Sequence, residues 1–195
     1  MSDMEIFRRV FVSDKDGKIK YDSGLMPSNS FVIAFLEHLY GEFNTIDISI
    51  EDTSNTSRTV GEPGDAEVRR HNINAADDDA TFGIVVGTGT TAESNTDYAL
   101  ATQIAQGTGS GQLDYGAHSF TVPTVVGSNV DLLVSRTFTN SSGASITIRE
   151  IGIYCESRVS TAYYYFCILR DVLTTPAAVA NGEILTVQYT IRTTV

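Results

Sequence analysis

Apolar and polar residues alternate with a period of two through most of the last third of the chain, from Val130 to Thr193. The alternation runs through residues 130–138, restarts at residues 146–148 and returns at residues 185–191. Successive side chains of a β-strand point to opposite faces, so this period predicts strands with one buried face. An aromatic-rich run, Ala162 to Leu169, predicts a further strand between them. Several strands in succession favour a β-rich fold, and we predict a sandwich core.

The phase of the alternation slips by one residue around Arg149 and Glu150. Ile148 belongs to the first phase and Ile151 to the second. A one-residue slip would turn every following side chain to the other face, so we predict a β-bulge at this point. At such a bulge we expect Glu150 to accept backbone hydrogen bonds rather than to act as a catalytic acid or base.

Cys155 and Cys167 are the two cysteines of the chain, and a hairpin centred near Thr161 would place them opposite each other. A disulfide is possible only if their Cα atoms come within about 7 Å. We favour the alternative, in which both are small buried apolar residues kept reduced in a cytosol. The sequence leaves both alternatives open.

Residues 1–50 are predicted to form a hairpin, a helix and a strand. Glu5–Ser13 and Lys18–Tyr21 would pair across Asp14–Gly17, which we interpret as a turn rather than a calcium loop because Leu25 stands where a calcium loop needs Glu. The strand is predicted over residues 46–50, where isoleucine alternates with polar residues.

Residues 31–41 are predicted to form the helix, capped by Ser or Asn of residues 28–30 and ended by Gly41. The segment is apolar on nearly all sides, so we expect it to be buried in this subunit or against a neighbour. His38 within it is predicted to be packed rather than catalytic. The candidate contact residues on this helix are Phe31, Phe35, Leu39 and Tyr40.

Residues 51–80 are polar, and we predict a long loop or an extended arm, since loops of this length usually bind something or are ordered by a neighbour. Asp77, Asp78 and Asp79 within it are further candidate contact residues. Phe82–Val86 is predicted to be a buried strand, and Asp97 is predicted to cap a short helix that Gly107 ends. Residues 107–111 are glycine-rich but lack the lysine and the following helix of a phosphate loop, and Leu113–Val122 is predicted to be a strand.

Acidic residues outnumber basic ones by 24 to 13, which gives a formal net charge of −11. The longest basic clusters are the pairs Arg8-Arg9 and Arg69-Arg70, so we predict no nucleic-acid partner. No run approaches the ~20 apolar residues of a membrane span, so no membrane partner is predicted. The first residues lack the order of a secretion signal, and we expect the protein to begin here and to be made in a cytosol.

The three histidines, His38, His71 and His118, lie in no recognisable catalytic signature. The sequence contains no G-x-S-x-G, H-E-x-x-H or C-x-x-C motif. We therefore predict a protein that is not an enzyme, with no catalytic, cofactor-binding or metal-ligating residues and no cofactor.

Three strings are similar to segments of virion structural proteins of tailed bacteriophages. They are IVVGTGTT…DYAL…IxxG (Ile84 to Gly107), RTFTNSSGxxITIREIGIY (Arg136 to Tyr154) and LRDVL…GEILTVQYTI (Leu169 to Ile191). Similar strings occur in tail-collar fibre and related accessory proteins, where an E-x-G-L-Y strand precedes a strand with Arg and a final L-T-V-x-W/Y-T-I strand. The resemblance covers residues 84–195 and describes a β-fold rather than an active site.

The resemblance implies a non-enzymatic, self-associating virion subunit, assembled in the host cytoplasm. We expect a single mainly β domain over residues 1–195, an antiparallel, jelly-roll-like β-sandwich with one helix in its N-terminal half and one short helix. The expected function is capsid decoration or an auxiliary role in the head. Its partners would be copies of itself, with a trimer as the first expectation, and other virion proteins, namely major capsid or tail proteins.

Three alternatives remain on the sequence. The first is a tail, neck or fibre-attachment component, which copy number per particle would distinguish. The second is a carbohydrate- or receptor-binding module that uses exposed tyrosines of residues 163–165. The third is a hydrolase on the same fold, for which no acid–nucleophile pair is visible.

Overall fold

The computed structural model describes residues 3–28, 31–44, 47–60, 71–159 and 161–194. This part of the chain is mainly β, with antiparallel sheets and one helix. The elements in chain order are β1 (Asp3–Ser13), β2 (Ile19–Asp22), β3 (Met26–Ser28), α1 (Ile33–Asn44), β4 (Ile48–Glu51), β5 (Ser57–Val60), β6 (Gly83–Gly87), β7 (Asp114–Phe120), β8 (Thr124–Val126), β9 (Asn129–Thr139), β10 (Ile146–Val159), β11 (Ala162–Val179) and β12 (Ile184–Thr194).

The largest sheet has seven strands in the order β2-β1-β12-β9-β7, with β3 added to β1 and β8 added to β9. β12 pairs along its whole length with β1 on one side and β9 on the other. Leu185, Val187 and Tyr189 of β12 are fully buried, which confirms the alternation predicted for this segment. The predicted first hairpin is also confirmed, since β1 pairs with β2 and Gly17 adopts a positive φ of 79° in the turn between them.

The second sheet has three strands in the order β11-β10-β6. The register of β10 against β11 shifts between Ile148 and Glu150, which confirms the predicted bulge. A second shift follows Ile153 and places Cys155 opposite Phe166 rather than opposite Cys167. Both cysteines are free and buried.

Side chains of both sheets contribute to one continuous hydrophobic core. Val134 of β9 and Tyr189 of β12 lie across from Ile153 of β10 and Leu169 of β11 around an apolar cavity of about 80 Å³. β6 is buried at all five positions, as its unbroken apolar run predicts.

Helix α1 confirms the predicted helix but continues past Gly41 to Asn44. Over residues 33–40, where side-chain burial is described, the helix is buried along one side, at Ala34 and His38. Its opposite side exposes Ile33, Leu36 and Tyr40. Burial of the helix on nearly all sides is therefore not achieved within the subunit.

The prediction of one polar loop over residues 51–80 is wrong for residues 57–60, which form β5 and pair with β4. Alternating polar residues such as Ser57 and Thr59 suit an exposed two-stranded hairpin. Residues 61–70, with the basic pair Arg69-Arg70, lie outside the described residues, as do Ile46 and the predicted cap positions 29 and 30.

The predicted short helix from Asp97 to Gly107 is wrong. The segment forms turns and isolated bridges, in which Gln103 pairs with Gly87 and Gln106 pairs with Leu113. Backbone N–H groups of Ala101 and Thr102 point to the carboxylate of Glu150, and Ile104 donates to the carbonyl of Val86. These donors serve long-range partners instead of the carbonyls four residues earlier that a helix requires.

Candidate functional site

Glu150 lies at the bulge of β10 and is completely buried. Its Oε1 accepts hydrogen bonds from the backbone N–H groups of Gly89 at 3.0 Å and Thr102 at 2.7 Å, and its Oε2 accepts one from Ala101 at 3.0 Å. A Cβ at Gly89 would lie 2.4 Å from Oε1, so only glycine allows this approach. The expected role of Glu150 as an acceptor of backbone hydrogen bonds is confirmed.

Arg170 of β11 supplies the charge that balances Glu150. Its Nη2 lies 3.0 Å from Oε2 of Glu150, and its Nη1 lies 2.7 Å from Oδ2 of Asp97. The guanidinium also donates to the carbonyl of Thr91 at 2.8 Å. The ion pair therefore stabilises the packing of residues 88–113, which connect β6 and β7, against the three-stranded sheet.

This ion-pair cluster brings together residues from all three of the sequence strings quoted above, at 84–107, 136–154 and 169–191. Gly89 belongs to the first string, Glu150 to the second and Arg170 to the third. The carboxylate of Glu150 accepts hydrogen bonds from Gly89 and Arg170, and the guanidinium of Arg170 is only 1% exposed. All three residues therefore stabilise the loop. Such an arrangement stabilises a fold and offers no group for proton transfer to a ligand.

Arg136 of β9 forms a second buried cationic centre, which the sequence did not indicate. Its guanidinium donates to five backbone carbonyls, those of Ala76, Asp79, Phe82, Ile84 and Gly116. Burial lowers the pKa of Arg136 to about 10, so the group stays charged at neutral pH. The ring of Tyr115, 4.9 Å from the guanidinium carbon, adds a cation–π contact.

His38 and Cys155 form a contact that resembles a catalytic dyad, with 3.6 Å between Nε2 and Sγ. Cys155 is completely buried, and burial raises the pKa of its thiol to about 12. A nucleophilic cysteine needs a lowered pKa and access to substrate. The pair therefore packs the helix onto β10, in agreement with the packed role expected for His38.

His118 is also used structurally. Its Nε2 accepts the backbone N–H of Ile84 at 2.7 Å, and its Nδ1 lies 3.2 Å from the carbonyl oxygen of Ala75. These contacts assign the hydrogen to Nδ1. Burial, with the nearby charge of Arg136, lowers the pKa of His118 to about 4, so the ring is neutral at pH 7.

Among the described residues, no group of three His, Cys, Asp or Glu side chains is placed to hold a metal ion. Within the same ranges, no helix combines the length and the apolar character needed to cross a membrane.

The candidate contact residues of the helix segment lie in different surroundings. The rings of Phe31 and Phe35 stack with 3.9 Å between their centroids, and both line the apolar cavity between the sheets. Leu39 is half-buried and Tyr40 is 55% exposed. Of the four, Tyr40 is the most accessible to a partner.

The acidic run is held to the body of the protein. Asp77 and Asp78 are exposed, and Oδ1 of Asp78 accepts a hydrogen bond from Gln106. The carboxylate of Asp79 accepts the backbone N–H of Thr81. The helix instead contacts β11 and β4, so the two predicted sets belong to different parts of the structure.

The three consecutive tyrosines proposed for a carbohydrate site are largely engaged. Tyr164 lies beneath the guanidinium of Arg58 at 3.9 Å, and Tyr165 stacks on Phe82 at 5.9 Å. Tyr163 alone of the three is exposed, at 42%.

Residues 120–130 form an exposed apolar hairpin that was not predicted from the sequence. We call it the apolar arm. Val122, Val125 and Val126 are 82%, 71% and 67% exposed, and β8 within the arm pairs with β9. The sequence does contain a feature that indicates such a surface, because residues 119–130 have no charged side chain although the chain as a whole is acidic.

A second exposed surface surrounds helix α1. Ile33, Leu36 and Tyr40 form an apolar stripe at the spacing i, i+3, i+7. Beside the stripe lies an open cavity of about 360 Å³ between α1, the β4–β5 hairpin and residues 96–98. Glu37 and Glu51 both line it, and we call it the acidic cavity.

Compared with protein-family models, with curated proteins and with solved structures, the chain matches none of them.

Proposed function

We propose that this chain is a non-enzymatic structural protein of a tailed-phage virion, a capsid decoration or auxiliary head protein that acts through contacts between copies. Two lines of support combine. One is the resemblance of residues 84–195 to virion proteins. The other is that the segments carrying the resemblance use their charged residues to hold loops in place rather than to form a reactive site.

We further propose that the two larger sheets form a β-sandwich of jelly-roll type. Their shared core, in which Val134 and Tyr189 meet Ile153 and Leu169, supports the sandwich. In the seven-stranded sheet the first strand of the chain, β1, lies beside the last, β12. Antiparallel sheets in which strands distant in sequence are neighbours are typical of such folds.

A third observation, the apolar arm, carries the proposal of contacts between copies. Exposed clustered valines are costly for an isolated soluble protein and usually mark an interaction site. In the described sheet β8 pairs with β9 along one side, so its other side can add a strand from a neighbour.

The charge of the protein favours this surface for self-association. Copies that each carry a formal net charge of −11 repel one another, and contact through an uncharged arm keeps most carboxylates apart. In a closed ring of copies, with a trimer as the first expectation, every apolar arm would be buried in an equivalent interface.

Light scattering of the purified protein tests self-association. We expect a mass that is a small multiple of 21.1 kDa and that falls to one copy in the triple variant V122T/V125T/V126T. Threonine keeps the β-branched shape that suits a strand while removing apolar surface. The control is Ile19→Thr, since Ile19 is 47% exposed on β2, away from the arm.

Proteomics of the particle that contains this protein tests the location. A copy number comparable to that of the capsid subunits supports decoration, and a few copies per particle would instead support the tail or neck alternative. Absence from purified particles, together with failure to bind empty shells, would overturn the proposal.

A further inference from the structure

The acidic cavity has the size and openness of a site for a side chain presented by another molecule. Its volume of about 360 Å³ lies within the usual range of ligand pockets, roughly 300–1,000 Å³. Three separate segments build it, because the N–H of Ile33 donates to the carbonyl of Asn95 at 2.7 Å and α1 also packs on β4. The walls are therefore tied together by contacts within this chain.

The charge inside the cavity is unbalanced. Burial, and then the nearby charge of Glu51, raises the pKa of Glu37. Asp97 also lines the cavity, but its carboxylate is paired with Arg170. Within the described residues, no cationic side chain acts to lower the pKa of Glu37. A cation supplied by another molecule would therefore relieve the repulsion between Glu37 and Glu51.

The neutral groups of the cavity suit a guanidinium. Ser49 and Ser57 lie with their hydroxyl oxygens 2.5 Å apart on the wall formed by the β4–β5 hairpin. An arginine offers five N–H donors in a planar fork, which two carboxylates and two hydroxyls can accept together. Tyr98, 38% exposed at the edge, provides a ring for the cation to lie against.

The rim of the cavity is apolar on the side of α1. Leu36 is 62% exposed and Ile33, which also lines the cavity, is 49% exposed. Charge at the centre with apolar surface beside it is the arrangement that recognises a basic residue flanked by apolar residues.

We propose that the acidic cavity and the apolar stripe of α1 bind an arginine side chain, flanked by apolar residues, on a segment of a different protein. A different protein is favoured over a second copy because many arginines of this chain already have internal partners. These are Arg8, Arg9, Arg58, Arg136, Arg170 and Arg192. The proposal does not depend on the virion assignment.

The test is an NMR titration of the isotopically labelled protein with acetyl-Leu-Arg-Leu-amide. The matched probe is the same peptide with citrulline, which keeps the shape of arginine without its charge. We expect saturable shifts at amides of residues 33–37, 49–51 and 96–98 with the arginine peptide. The citrulline peptide should bind about tenfold more weakly, as expected for the loss of one charged contact.

Variants separate the cavity from the overall negative charge. Glu37→Gln and Glu51→Gln should each weaken binding about fivefold or more, whereas Asp16→Asn, an equal change of charge in the β1–β2 turn, should leave it unchanged. Preserved amide dispersion in each variant shows that the fold is intact. Equal binding of the two peptides, equal losses in all three variants, or saturable binding of methyl glucoside at these amides in place of the peptide would overturn the proposal.

Discussion

Glu150 and Arg170 form an ion pair with 3.0 Å between Oε2 and Nη2, and neither side chain is more than 1% exposed. The two residues lie on neighbouring strands, and the carboxylate also receives three backbone N–H groups from a loop distant in sequence. A buried charge pair persists only when its remaining hydrogen-bonding capacity is satisfied, as it is here.

Replacing Glu150 by glutamine should therefore be strongly destabilising. The change leaves Arg170 with only part of its counter-charge and turns an amide N–H₂ toward backbone donors. We expect a loss of about 3 kcal/mol in the free energy of unfolding, measured by urea denaturation. The control is Asp131→Asn, which breaks a half-exposed pair with Arg192 and should cost less than about 1 kcal/mol. Equal losses in the two variants would contradict the structural role of Glu150.

Arg136 should not tolerate lysine. Lysine has three donors, so at least two of the five carbonyls would lose their partner, and each buried unsatisfied group costs about 1–3 kcal/mol. We expect R136K to lose about 3 kcal/mol of stability and to show faster hydrogen exchange in residues 76–84. Arg9→Lys, at an exposed pair with Asp22, serves as the control and should change stability by no more than about 0.5 kcal/mol.

His118 should make the protein less stable in mild acid. Its pKa in the folded state is about 4, below the ordinary value of 6.5, so the unfolded chain binds the proton more readily between these values. The stabilising contribution is complete above pH 6.5 and is lost as the pH falls toward 4. It amounts to on the order of 3 kcal/mol, because a pKa that differs by one between the folded and unfolded chain corresponds to about 1.4 kcal/mol and this pKa falls from 6.5 to about 4.

NMR titration of the His118 ring protons measures this pKa directly. Burial lowers the pKa of His118 most, the charge of Arg136 lowers it further, and the carbonyl of Ala75 and the charge of Asp79 raise it. The variant His118→Gln should show a shallower fall of stability with decreasing pH than the unsubstituted protein. An apparent pKa near 6.5 for His118 would contradict its neutral, buried role.

The two thiols should resist modification in the folded protein. Cys155 and Cys167 are both completely buried, and burial raises the pKa of each. We expect a disulfide reagent such as Ellman's reagent to label neither cysteine in the native state and both after unfolding in urea. Rapid native labelling of Cys155 would show that its contact with His38 is accessible and reactive.

Several features of the fold could be predicted from the sequence because they depend on local residue patterns. The alternation of β12, the bulge at Glu150 and the turn at Gly17 are of this kind, since strand faces and turn conformations follow from neighbouring residues. The helix at α1 was also predictable from its spacing. Its end was not, because Gly41 permits a helix to continue.

By itself, the sequence determined most of the longer strands, where the phase must slip, and that Glu150 would meet backbone donors. Only the tertiary structure decided which donors these are, that residues 97–107 wrap around a carboxylate instead of forming a helix, and that Arg136 gathers five carbonyls. It also decided which apolar residues stay exposed, as at Leu36 and Val125. The physical reason is that burial and hydrogen-bond satisfaction depend on partners tens of residues away, whereas periodicity reports only a residue's own strand or helix.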